Sequence, residues 1–122
     1  IIEEDKDFIS FKDAQIDYKR EKEEADKAYA ELLNAEKELK NAQNDYKEAT
    51  GRVVAAENKD IQIQAEKEAV VLHTKQKEAA AKYEAQKRVS DAQKRRSEGS
   101  KTKYISIFQV FKSRSSKKRK KN

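Results

Sequence analysis

The sequence predicts an all-α protein, a long antiparallel helical hairpin of the coiled-coil kind, on three observations. Asp, Glu, Lys and Arg make up 43% of its 122 residues against 35% hydrophobic ones, and the mean hydropathy is −1.20. That leaves too little apolar material for a thick core. There is no Pro, Cys, Met or Trp and only two Gly, so the punctuation of β-rich and loop-rich folds is missing. Apolar residues recur in alternating steps of three and four, the spacing of helices that pack along one narrow seam.

The first arm begins its seam at Phe11. The steps run through Ala14, Tyr18, Glu21, Ala25, Ala28, Leu32, Ala35, Leu39, Ala42, Tyr46, Ala49 and Val53 to Ala56, and only Glu21 is neither apolar nor aromatic. This register fails at Asp60, and a second one runs through Ala65, Ala69, Leu72, Gln76, Ala79, Tyr83, Gln86 and Ser90. Such a phase change is either a stutter in a single continuous helix forming a coiled-coil dimer, or a reversal of direction. Asn58, Lys59 and Asp60 favour reversal, because Asn tolerates the left-handed conformation that ends a helix and Asp is a favoured N-cap for the next. Thr50-Gly51 is a competing turn, since Gly inside a helix costs ~1 kcal/mol relative to Ala. The seam nevertheless passes from Ala49 to Val53 without a break.

The second arm then faces the first. Val53 meets Ala65, Ala49 meets Ala69, Tyr46 meets Leu72, Ala42 meets Gln76, Leu39 meets Ala79 and Ala35 meets Tyr83, so that large residues mostly meet small ones. In the same register Asp45, Glu38 and Glu24 come opposite Lys75, Lys82 and Arg96. Exposed pairs contribute only ~0.2–1 kcal/mol each, so these select an alignment; an antiparallel homodimer of the first arm would face acid with acid. An alanine-rich seam buries little area per layer, which predicts a hairpin that leans on a partner, on self-association or on a larger protein.

Charge divides the chain differently. Every Asp and Glu lies at or before Glu98. Residues 1–98 carry net −3 and residues 99–122 carry +9, which predicts a coiled-coil region over 1–98, turning near 58–60, and an aromatic segment plus polybasic tail over 99–122. Gly99 marks the expected helix end. Lys103 to Phe111 is the most hydrophobic stretch, and three readings compete for it. As an amphipathic helix it aligns Tyr104, Ile107, Phe108 and Phe111, and with Lys112, Arg114, Lys117, Lys118, Arg119, Lys120 and Lys121 it suits an anionic membrane surface or calmodulin. Phosphorylation of Ser113, Ser115 or Ser116 would weaken such binding. As a strand it would add to a sheet edge. As a closing element it would fold back on Phe8, Ile9 and Phe11. The basic run also suits nucleic-acid phosphates.

Little in the chain points to chemistry. Without Cys there is no disulfide or thiolate metal site, and His73 alone builds no zinc site; beside Leu72 on the flank of the seam, it reads as a packed or solvated side chain. Glu3, Glu4, Asp5 and Asp7 lack the spacing of a cation loop and read as a favourable acidic helix start. Tyr18, Tyr29, Tyr46 and Tyr83 could stack on bases, but three of them fall on the seam. No Gly-rich phosphate loop, nucleophile elbow or paired catalytic carboxylate exists, so neither enzyme nor cofactor is expected. The longest apolar runs are four residues, such as Val53 to Ala56, too short for a bilayer span or a signal peptide; localisation stays open.

With the hairpin in view, LLNAEKELKNAQNDYKEA at 32–49 and KEAAAKYEAQKRVSDAQKRR at 77–96 resemble the long helical hairpin that forms the receptor-binding domain of colicin-type bacteriocins. The likeness covers residues 15–98 and lies in composition, periodicity and architecture. It implies a tip at Asn58, Lys59 and Asp60 that contacts an outer-membrane receptor, on arms that space a translocation domain from a toxic one. No glycine-rich translocation segment precedes the arms, and the stretch after Gly99 is too short for a nuclease or pore domain, so only the receptor-binding piece has a counterpart. The expected function is a non-enzymatic coiled-coil spacer and protein-association module, with a rod anchored through its basic tail to nucleic acid or an anionic membrane as the alternative.

Overall fold

The computed structural model describes residues 3–121, with side chains over 6–114. It is an all-α helical hairpin of two long helices packed against each other, α1 over Glu3–Val54 and α2 over Lys59–Lys121. The continuous rod is thereby excluded as the fold of the single chain.

The reversal lies within residues 55–58, ahead of the expected 58–60, so that Lys59 and Asp60 already belong to α2. Ala55 N–H donates to the Gly51 carbonyl at 3.0 Å, and Ala56 N–H to the Val53 carbonyl at 3.4 Å, a tightened last turn that uses carbonyls the helix would otherwise leave open. Two details of the turn differ from expectation. The N-cap of α2 is Asn58 and not Asp60: Asn58 Oδ1 accepts from Ile61 N–H at 2.9 Å, while its carbonyl accepts from Gln62 N–H at 3.0 Å, the geometry of an N-cap. Asn58 also takes no left-handed conformation, since no described residue has positive φ. Asp60 sits inside the first turn of α2, where its charge meets the positive helix end. Thr50-Gly51 is no turn; Thr50 donates its hydroxyl to the Lys47 carbonyl at 2.8 Å and α1 runs through both.

Every seam position from Phe11 to Ala56, and from Ala65 to Ser90, is buried or half-buried. The fully buried ones are small: Ala14, Ala28, Ala35, Ala49, Ala65 and Ser90. Small side chains let the backbones approach, and the larger ring or leucine on the other arm fills the remaining space.

The helix end expected at Gly99 does not occur. α2 continues to Lys121, and the steps of three and four continue with it through Gln93, Ser97, Ser100, Tyr104, Ile107 and Phe111, all half-buried. The strand reading of 103–111 is likewise overturned. Packing of Tyr104, Ile107 and Phe111 against α1 outweighs the ~1 kcal/mol that a helical glycine costs. Gly99 itself is exposed.

Contacts gather into two compact units, one of Tyr29–Val89 and one joining Ile1–Ala28 with Ser90–Asn122. In the first, which holds the turn, Lys82 Nζ reaches Glu38 Oε2 at 3.0 Å, Arg52 reaches Glu68 at 3.9 Å, and the Tyr46 and His73 rings meet at 4.8 Å. Asp45 and Lys75, expected to face each other, form no ion pair. In the second, Gln93 Nε2 donates to Glu21 Oε2 at 2.6 Å and to the Glu21 carbonyl at 3.2 Å, and Arg114 pairs with Asp7. Glu24 and Arg96 do not pair. The charge complementarity read from sequence is realised in one of its three pairs.

Candidate interaction surfaces

At the turn, two apolar side chains stand in solvent among the exposed polar residues Glu57, Asn58, Lys59 and Asp60. Val54 is 88% exposed and Ile61 is 49% exposed. Beside them an open hollow of about 480 Å³ has Ala55, Ala56 and Ile61 among its lining, with Arg52, Glu57 and Glu68 contributing charge. Of the tip residues expected from sequence, Asn58 uses its side-chain oxygen on the cap, whereas Lys59 and Asp60 are exposed on the first turn of α2. Sequence reasoning missed Val54 and Ile61. Their signal was present: Val54 follows a seam residue directly, so it has to point away from the seam, and Ile61 precedes the second register.

In the other unit, the aromatic segment folds back on α1. The Phe11 ring lies 5.5 Å from each of Tyr104, Phe108 and Phe111, nearly parallel to the last at 8°. Phe8 packs on Phe111 at 6.0 Å and Tyr18 on Tyr104 at 5.8 Å. Each such pair contributes ~0.5–1.5 kcal/mol beyond its buried area. Ile9, expected to share this cluster, is 54% exposed.

The basic residues divide. Arg114 is engaged with Asp7, and Lys112 is exposed. The side chains of Lys117, Lys118, Arg119, Lys120 and Lys121 lie outside the described residues, although the helical backbone runs through them. Glu3, Glu4 and Asp5 of the acidic start lie outside in the same sense. Among the described residues no three His, Cys, Asp or Glu side chains gather as a metal site would need.

The polar break in the seam is held by hydrogen bonds. The Glu21 side chain is 21% exposed and is held by Gln93, and no buried side-chain nitrogen or oxygen among the described residues lacks a partner. Tyr18, Tyr46 and Tyr83 are half-buried on the seam, while Tyr29 is 57% exposed. His73 is exposed and leans on Tyr46. Among the described residues no helix is long and apolar enough to cross a membrane.

Compared with family models, with curated proteins and with solved structures, this chain finds no match in any of the three.

Proposed function

We propose that this hairpin is a non-enzymatic spacer and protein-association module whose contact end is the turn. The observation that carries the reading is Val54, 88% exposed at the tip. The cross-arm contacts are made along the seam, and Val54 at the reversal buries little of its side chain within the chain. It is available to a partner. Burying a valine side chain contributes ~1.5–3 kcal/mol, and Ile61 and the neighbouring hollow enlarge the patch. The resemblance to colicin-type receptor-binding hairpins favours the same end of the molecule and implies an outer-membrane receptor as the partner.

The test uses the fluorescently labelled full chain and intact cells that bear an outer membrane. Binding should be saturable and competed by unlabelled chain. Val54→Asp should weaken it roughly tenfold or more, whereas Val71→Asp, at a side chain 55% exposed but away from the turn, should not. Equal losses in the two variants would remove the tip as the contact, and an absence of saturable binding would remove the receptor.

A further inference from the structure

The unit joining the N-terminal part of α1 to the C-terminal part of α2 has two unlike flanks. On one, Asp17 and Glu24 of α1 hold register positions beside Lys103 and Arg96 of α2, so the charges balance. On the other flank Lys12, Lys19 and Lys22 of α1 follow one another at helical spacing with no acid between them on that face, and Lys101 and Lys112 of α2 do the same, the basic run being bounded by Asp26 and Glu98. None of these five lysines pairs with an acid among the described residues. Between them stand apolar side chains in water: Phe8 is 47% exposed, Ile105 42% and Phe108 40%.

The two stripes share one side of the hairpin. Phe8 of α1 leans across to Phe111, a seam residue of α2, and Phe108 of α2 leans across to Phe11, a seam residue of α1. The Lys12 ammonium lies 5.6 Å from the Phe8 ring centroid. The Lys12 side chain and the Phe8 ring are thus laid together on this flank.

We propose that this flank docks on an anionic phospholipid bilayer, with Phe8, Ile105 and Phe108 entering the headgroup boundary and the lysines meeting the lipid phosphates and carboxylates. An anionic leaflet attracts basic side chains by Coulomb forces, and apolar side chains between them gain burial that a purely polar partner does not offer. Lysine suits this geometry because its stem packs on apolar surface while its charge stays in the headgroup layer. Ile105 decides between lipid and nucleic acid, since an aliphatic side chain has no base-stacking role. The surface is separate from the tip, and neither reading depends on the other.

The experiment is flotation of the full chain with vesicles of phosphatidylserine in phosphatidylcholine, against pure phosphatidylcholine, at moderate salt. The chain should float with the anionic vesicles alone. The triple variant K12Q/K19Q/K101Q should lose binding by roughly tenfold or more, while K27Q/R96Q/K103Q, which removes the same charge from the balanced flank, should stay within about twofold of the parent. Ile105→Ser should reduce partitioning about threefold. Circular dichroism checks that all three variants remain helical. Equal losses in the two triples would reduce the effect to net charge and overturn the proposal. So would an Ile105→Ser variant that floats as well as the parent, or a chain that ignores anionic vesicles while retaining duplex DNA.

Discussion

Lys82 Nζ and Glu38 Oε2 meet at 3.0 Å across the two arms, although 44 positions separate them in the chain. Both side chains are more than half exposed, at 65% and 56%, so the pair fixes alignment more than it stabilises. Reversing either charge alone should destabilise the hairpin, and exchanging them, Glu38→Lys with Lys82→Glu, should restore it. A double-mutant cycle in urea should give a coupling of ~0.2–1 kcal/mol. Zero coupling would mean that the pair does not persist in solution.

Gly51 and Gly99 both sit inside helices, and a β-carbon added at either meets nothing within 4 Å. Gly51→Ala and Gly99→Ala should therefore each raise stability by ~0.5–1 kcal/mol, additively, as shifts in thermal midpoint. A loss at Gly51 would mean that the chain reverses there, and a null result at Gly99 would mean that α2 frays before it.

Asn58 caps α2 through Ile61 N–H. Asn58→Ala should cost ~1 kcal/mol, and Asn58→Asp or Asn58→Ser should retain most of the stability. Asp60→Ala, which removes only a charge near the helix start, should cost ~0.3–1 kcal/mol. If Asp60→Ala is the more damaging of the two, the cap is misassigned.

The Glu21–Gln93 contact is the polar break in the seam. Glu21→Leu alone leaves Gln93 without its carboxylate and should destabilise by ~1–3 kcal/mol. Glu21→Leu with Gln93→Leu should be neutral or stabilising, because an apolar layer replaces a desolvated polar one. Urea denaturation of the three proteins settles the order, and a double variant weaker than the single would show that the layer needs polarity.

Much of this architecture was legible in the residues. The steps from Phe11 to Val53 mark the buried side of α1, and the phase change before Ala65 points to a reversal, which falls at 55–58, ahead of the expected 58–60. Glu38 with Lys82 gives the alignment. What was hidden lies in α2 after Ser90, where Gln93, Ser97 and Ser100 occupy seam positions. A hydrophobicity reading passes over polar residues at core spacing, so the seam seemed to stop, and the change in charge at Gly99 looked like an end. Counting threes and fours onward from Ser90 reaches Tyr104, Ile107 and Phe111 directly. The cap was ambiguous for another reason: Asn and Asp are nearly equal as N-caps, and the choice of Asn58 depends on where α1 stops. The apolar tip went unnoticed because turns are read for their polar residues.

The reversal at residues 55–58 also sets an order of assembly. Contacts across the arms become less local with distance from the turn: Lys82 to Glu38 spans 44 positions, Gln93 to Glu21 spans 72 and Arg114 to Asp7 spans 107. Each closure beyond the first adds only a short loop to one already formed, so the entropic cost of joining the ends is spread over many small increments. A zipper that starts at the turn would engage the stacked rings at Phe11 and the Arg114–Asp7 pair last. Interactions formed that late lie beyond the transition state, so they act on the rate of unfolding and leave the rate of folding nearly untouched. On that order the aromatic cluster would act as a kinetic latch, seen as faster unfolding of a Phe11→Ala variant with little change in its folding rate.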